Sequence, residues 1–477
     1  MRITNNLKQD SKGILAITES SEKILNEEVL KNSKILKDKI GHNLVFLLCH
    51  NTAGSLLTYL SCLEAGVVPL LLESTITIPL LKRLIDLYEP MCIISSETEK
   101  REISTLSQEW GERWTSIISI RDYSAWRTHF TKPVLHPDLC LLLSTSGSTG
   151  SPKLVRLTAE NLDANAISIV EYLSIDQNER PITMLPMSYS YGMSIINSHV
   201  LCGAPIILSE KTIMEEDFWK RVRSENVTSL VGVPATYQIF DKLMIWDMNL
   251  PSVETLTQAG GKLSVELQKK FGEWCQSTGR KFFVMYGQTE AAPRMGYLPA
   301  EQILKKSGSM GIPIPGGRME LIDVEGKKIN IPHVTGELVY HGRNVGMGYA
   351  QNKEDLALGD IWKGTLITGD MAEQDEDGYF YIVGRKKRFV KILGKRVNLD
   401  ELERDIASKF QKNVAVVGTD ERIDAFIEDE KADLIIISDY IVLNFAIPNN
   451  FIQIHKINEL PRNQSGKIQY GDLLKMR

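Results

Sequence analysis

Between residues 43 and 94, short apolar runs alternate with stretches of helical pattern, and this constrains the fold more than any other feature. Residues 44–49, 66–72 and 91–94 read as strands, and 54–65 and 80–87 as the helices between them. A helix between strands carries the chain back across the sheet, so the strands pair in parallel and the sheet is doubly wound α/β. The alternation returns with strands at 181–186, 204–208, 229–233, near Leu256 and at 281–285, and helices at 192–200 and 218–225. From 313 to about 383, short strands with frequent glycines indicate a small β-rich subdomain, while residues 1–40 are polar and helical in flavour. A chain of 477 residues has room for two to four domains.

The strand at 139–143 runs into Ser144-Thr145-Ser146-Gly147-Ser148-Thr149-Gly150-Ser151-Pro152-Lys153. Four serines, two threonines, two glycines and a lysine can turn backbone N–H groups, hydroxyls and one compact positive charge toward a phosphate chain. A flexible Gly/Ser turn would have the same composition. The Walker A pattern is not met, since Lys153 is followed by Leu154. Open parallel sheets place ligands at the carboxyl ends of their strands, where this loop falls. Residues 384–396 form the densest basic cluster, read as a solvated face or as a landing site for a phosphorylated partner. The last loop, 460–467, is again polar, glycine-bearing and tipped by Lys467.

The net charge of −5 gives no electrostatic case for nucleic acid. No apolar run approaches the roughly 20 residues of a membrane span, and the first residues lack a signal-peptide core, so the expected location is cytoplasmic. The six cysteines contain no C-x-x-C pair and read as buried thiols in a reducing compartment.

Four segments, in their order and separation, resemble the adenylate-forming (AMP-binding) superfamily of acyl- and aryl-CoA synthetases, luciferases and peptide-synthetase adenylation domains. They are 144–153, Tyr286-Gly287-Gln288-Thr289-Glu290, Thr368-Gly369-Asp370 with Gly384-Arg385, and 461–467. The resemblance implies a large N-terminal domain, 1–384, of two doubly wound α/β sheets plus a small β-barrel at about 313–384. A mobile α+β lid, 388–477, would follow a hinge at Lys387. It also implies a two-step reaction: a carboxylate attacks the α-phosphate of ATP to give an acyl-adenylate and pyrophosphate, then a thiol displaces AMP.

The implied roles follow residue by residue. Lys467 would bridge carboxylate and α-phosphate, Thr289 would hydrogen-bond that phosphate, and Glu290, with Thr149, would hold Mg²⁺. Thr145, Ser146, Gly147, Ser148, Thr149, Gly150 and Lys153 would cradle the β- and γ-phosphates. Tyr286 would lie against adenine, Asp370 would accept from the ribose hydroxyls, and Arg385 would support ribose or phosphate. Gly260, Gly261, Gly287 and Gln288 would complete the nucleotide-binding set, and Gly394 would leave room for a pantetheine arm.

Tyr189, Tyr191, Pro234, Tyr237, Ala259, Ala291 and Arg294 would line the acyl pocket. Arg294 is its odd member, facing either a polar substrate group or solvent and Glu301. Tyr189 stands where many relatives carry a histidine gate. No aspartate in 188–194 answers an α-amino group, which argues against an amino-acid substrate. Only about 90 residues follow the hinge, so the C-terminal domain is short. The expected product is an acyl-CoA. The alternatives are loading of a carrier protein's phosphopantetheine or non-catalytic nucleotide binding, by a monomer or homodimer.

Overall fold

The structure, a computed structural model, describes the chain except residues 110–113, 131, 145–152, 394, 420, 446, 463–467 and 477 and the side chains of 100, 109, 387, 391, 395 and 396. Two compact units account for it. The first holds the described residues of Met1–Thr145, Ser151–Arg318 and His341–Leu366, and the second those of Met319–Tyr340 and Ile367–Arg477.

The first unit contains an eight-stranded sheet in the order Tyr349–Ala350, Leu154–Thr158, Leu139–Ser144, Val68–Glu73, Leu44–Cys49, Cys92–Ser96, Tyr123–Arg127, Thr115–Ile120. Its four central strands run parallel, as the alternating pattern predicts. Leu44–Cys49 lies at its heart and is buried throughout. Val45, Leu47 and Cys49 fill one apolar cluster and Leu44, Phe46 and Leu48 another. A period of two thus feeds cores on both faces, which is why the strand reads as a continuous apolar run. The Ala53–Ala65 helix starts at Thr52, whose hydroxyl accepts from the Ser55 N–H, and stops at Gly66, which is left-handed at φ 73°.

A second sheet in this unit pairs Ser229–Gly232, Thr255–Gln258 and Lys281–Gly287 in parallel, then adds Arg294–Leu298 and Ile312–Pro313 antiparallel. The carboxyl ends of its parallel strands lead into 233–234, 259–261 and 288–290, three of the stretches the resemblance singles out. Some expectations need correction. Residues 181–186 form no strand: Pro181 and Ile182 make only isolated bridges, and prolines at 181 and 186 lack the N–H a ladder needs. Residues 1–40 include a hairpin, Ile14–Ile17 with Lys23–Leu25, between the helices Asn5–Gln9 and Asn26–Lys39.

In the second unit the glycine-rich region forms a five-stranded sheet ordered Lys328–Ile329, Arg318–Ile322, Gly336–His341, Thr365–Gln374, Phe380–Arg385. A hairpin, Phe389–Ile392 with Lys395–Asn398, follows. Next comes an α+β layer of Val414–Thr419, Arg422–Ile427 and Ile452–Lys456, with helices Leu399–Phe410 and Leu434–Phe445. Leu402, Ile406, Val416, Ile423 and Ile441 make its core. Lys387, the expected hinge, falls within this unit. Among the described residues no helix is long and apolar enough to cross a membrane.

Candidate active site

Lys281–Gly287 ends in a tight reversal. Gly287 pairs with Arg294 across the hairpin, and the Gln288 N–H donates to the Pro293 carbonyl at 2.9 Å. A Cβ at Gly287 would collide with that carbonyl, so only glycine permits the approach. Thr289–Ala291 forms one 3-10 turn at the tip. Two buried asparagines fasten it. Asn344 donates to the carbonyls of Ala291 at 2.7 Å and Arg294 at 2.8 Å, and Asn165 donates to the same Arg294 carbonyl at 3.0 Å. The Gly346 N–H donates to the Glu290 carbonyl at 2.9 Å. The turn is therefore held by its backbone, which leaves the Thr289 and Glu290 side chains free for function.

Both side chains are aimed by neighbours. The Tyr349 hydroxyl donates to Glu290 Oε1 at 2.6 Å, and Oε2 makes no hydrogen bond with any described residue. Burial, then the adjacent Glu290 charge, raise the Tyr349 pKa, so the phenol stays a donor. Lys153 Nζ lies 5.4 Å from the centre of the same Tyr349 ring. Tyr349 thus joins two residues that the sequence motifs single out separately, and no motif marked it. The Thr289 hydroxyl lies 3.1 Å from that of Ser190, the first residue of the Ser190–Cys202 helix.

The neighbouring surface comes from that helix and the 258–261 bend. The Gln258 amide donates to the carbonyls of Ala259 and Gly261 at 3.2 and 2.9 Å, which sets the bend. Gly260 sits at φ 84° directly against the Tyr189 hydroxyl. Burial pushes the Tyr189 phenol up to about 12. Tyr191 is buried and its hydroxyl meets Thr257 Oγ1 at 2.9 Å. Pro234 opens the Pro234–Lys242 helix. Tyr237 is fully buried against Phe240, Phe271 and Phe282, so its ring belongs to the core. Ala291 is enclosed within the asparagine-fastened turn. Arg294 does not reach Glu301 or solvent: it is 3% exposed, with its guanidinium 3.8 Å from the centre of the Tyr191 ring.

Further along the same helix, His199 is buried and its Nδ1 lies 2.7 Å from the Ile195 carbonyl. Burial holds its pKa down near 4, against an ordinary 6.5. The unfolded chain therefore binds the extra proton across that window. The stability this contributes is whole above pH 6.5 and is lost as pH falls toward 4. Urea unfolding of the wild type should show a slope of up to about 1.4 kcal/mol per pH unit from this group. His199→Asn should lack that component; identical slopes would rule it out.

In the second unit Asp370 and Arg385 face each other across antiparallel strands, with Arg385 Nε 3.3 Å from Asp370 Oδ1. The Asp370 N–H donates to the Thr368 hydroxyl at 3.1 Å, and the Thr368 hydroxyl donates to the Leu338 carbonyl. The aspartate is thereby fixed at a strand kink, with Gly369 left-handed at φ 72°. The basic cluster is not a free patch among the described side chains. Lys386 pairs with Glu337 at 2.7 Å, and Arg388 pairs with Asp400 and Glu403 while lying 3.9 Å from the Tyr470 ring centre. Thr145, Ser146, Gly147, Ser148, Thr149, Gly150, Gly394 and Lys467, and the Lys387 side chain, lie outside what the structure describes. Ser144 and Leu154, flanking the first loop, are paired across adjacent strands.

A tyrosine-held glutamate and a threonine hydroxyl at the carboxyl end of a parallel sheet, with a lysine at hand, suit a phosphate–metal guest. The AMP-binding enzyme family profile matches residues 23–350. The chain belongs to this family.

This AMP-binding enzyme is 30% identical over 277 residues to a feruloyl-CoA synthase of an Amycolatopsis species. That match covers 57% of this chain and 55% of the relative, so the chain spans about half the length of that relative. It is 26% identical over 449 residues to the 2-succinylbenzoate–CoA ligase of Oceanobacillus iheyensis, covering 89% and 87% of the two chains. Among solved structures it resembles the o-succinylbenzoate coenzyme A synthetase of Bacillus subtilis in complex with AMP. The TM-score is 0.79 at 21% identity, covering 99% of this chain and 97% of that one. ATP-bound MatB from Rhodopseudomonas palustris superposes equally well, with TM-score 0.79 at 21% identity, covering 100% and 98%. Both are likenesses of fold.

Among the described residues no group of three or more His, Cys, Asp and Glu could hold a metal alone.

Proposed function

We propose that the chain is an ATP-dependent acid–thiol ligase that converts a carboxylic acid to its acyl-adenylate and then to a CoA thioester. The observation that carries this reading is the Glu290–Tyr349 bond: it fixes one carboxylate oxygen and leaves the other for a metal beside the Thr289 hydroxyl. Two anions must meet in the first step, so the site's task is to supply charge and fixed dipoles. Bound Mg²⁺ would offset phosphate charge. Thr289 would donate to the α-phosphate, Lys153 would hold the departing phosphates, and Lys467 would bring the final positive charge. Asp370, already fixed by Thr368, would accept from the ribose hydroxyls. The domain reading belongs to the same proposal, with 388–477 moving about Lys387 between the two steps. Six free cysteines suit the cytoplasm.

Asp370→Asn keeps the side chain's shape and removes its charge. It should raise the KM for ATP about tenfold with a smaller change in kcat, since hydrogen bonds to a charged group contribute about 1.5–3 kcal/mol. An unchanged KM would remove Asp370 from the nucleotide site.

ATP–pyrophosphate exchange across a panel of acyl and aryl acids tests the whole reading. ATP binding without exchange for any acid would leave a non-catalytic nucleotide binder. Thioester formation with free CoA against a holo-carrier protein then assigns the acceptor. A preference for the carrier would replace CoA in the proposal.

A further inference from the structure

Arg294 is a buried cation without a counter-ion. No Asp or Glu among the described residues lies within ion-pair distance of it, and its Nε makes no hydrogen bond. The Tyr191 ring beneath it and the nearby Tyr172 hydroxyl are neutral, so they solvate the charge only in part. A guanidinium cannot shed its proton at this depth, so the charge itself must be met.

The cavity it borders is equally unfinished. It is lined by Arg294 with Ser194, His199, Ser229 and Thr257, and by the carboxylate Glu179, which accepts from the Thr228 hydroxyl and is not within ion-pair distance of Arg294; it has room for a water-sized group, about 20 Å³. His199 Nε2 and Ser229 Oγ, like Arg294 Nε, are buried without a hydrogen-bond partner. Three stranded polar atoms around one small cavity are costly in a folded core unless something polar enters it. The cavity lies between the Ser190–Cys202 helix and the Thr255–Gln258 strand, the elements that carry Tyr191 and the 258–261 bend.

We propose that this cavity is the far end of the acyl pocket and that Arg294 selects acids bearing a second carboxylate, remote from the one activated. This rests on the acid-activating reading above. Water in the cavity satisfies Nε, and Glu179 on the same lining stays beyond ion-pair distance, whereas a substrate carboxylate against the guanidinium supplies acceptor and countercharge together. An alkyl or aryl tail that displaces the water strands Nε and the two other polar atoms, so the site rejects plain acids. The small volume suits a carboxylate oxygen and not a further ring.

The test uses the full chain and matched pairs: hexanoate and hexanedioate, octanoate and octanedioate, phenylacetate and phenylenediacetate. Pyrophosphate exchange by the wild type should favour the diacid in at least one pair by about 30-fold in kcat/KM. Arg294→Met should abolish or invert that ratio, and Arg294→Lys, which keeps the charge without the planar fork, should fall between. Equal use or preference for the plain acid in every pair, or a ratio unchanged in Arg294→Met, overturns the proposal. If Arg294→Met does not fold by thermal melting, the wild-type ratio and Arg294→Lys decide. Should no acid support exchange, the adenylation reading fails separately. Calorimetric binding of the diacids to wild type and Arg294→Lys then decides for Arg294: tighter diacid binding that weakens in Arg294→Lys supports it, and no binding overturns it.

Discussion

Glu290→Gln is expected to lower ATP–pyrophosphate exchange about 1,000-fold, with little change in thermal stability. The substitution preserves shape. A glutamine carbonyl oxygen can still accept the Tyr349 hydroxyl that now donates to Glu290 Oε1, and the turn is fastened through the carbonyls of Glu290, Ala291 and Arg294, which are untouched. What disappears is the negative charge that the proposed Mg²⁺ would meet at Oε2. The required Mg²⁺ concentration should therefore rise along with the loss of rate. Tyr349→Phe provides the contrast: the carboxylate stays but loses its fixed donor, so a drop of about tenfold is expected, mostly in kcat. Steady-state exchange at several Mg²⁺ concentrations checks both. Comparable losses in the two variants, with no shift in Mg²⁺ dependence, would mean that the Glu290–Tyr349 bond is structural and that another group holds the metal.

The contrast between these two residues shows what the sequence makes legible. Glu290 stands in a five-residue run that is recognisable as it stands. Tyr349 lies 59 residues further on, in a glycine-rich region whose only readable property is its β texture. Asn165 and Asn344 are equally invisible, because an asparagine in a helix or loop signals a cap or turn until the fold brings an orphan carbonyl to it. The strand Leu44–Cys49 could be read to the residue because period-two burial on both faces leaves a continuous apolar run. The stretch 181–186 carries a similar apolar signal, yet its prolines deny it a ladder. Arg294 is the instructive case among the pocket residues. Charge in a sequence is presumed solvated, and only packing between Tyr191 and the sheet reveals a cation kept 3% exposed. Local chemistry is written locally; what aims and fastens it is written across the chain.

Lys467→Ala is expected to lower exchange by about 1,000-fold or more while leaving thioester formation from a supplied acyl-adenylate nearly unchanged. The asymmetry follows from where charge is needed. In the first step a carboxylate approaches a phosphate, and an ammonium between them offsets repulsion that is greatest as the new bond forms. In the second step the anhydride already exists and the departing AMP carries charge away, so the same ammonium has nothing to bridge. Among the described residues on either side of 463–467, Arg462 and Ile468 form a bridge and the Gln469 N–H donates to the Pro461 carbonyl at 2.8 Å. Just beyond, the Tyr470 hydroxyl donates to Glu403 at 2.7 Å, and Arg388 stacks on the Tyr470 ring while pairing with the same glutamate. Arg388, next to the expected hinge, and Tyr470, just after 463–467, therefore share one buried cluster within the second unit. Exchange kinetics and single-turnover thioester formation, measured on the same Lys467→Ala preparation, separate the two steps. Equal losses in both would assign Lys467 to holding the structure and not to the charge of the first step.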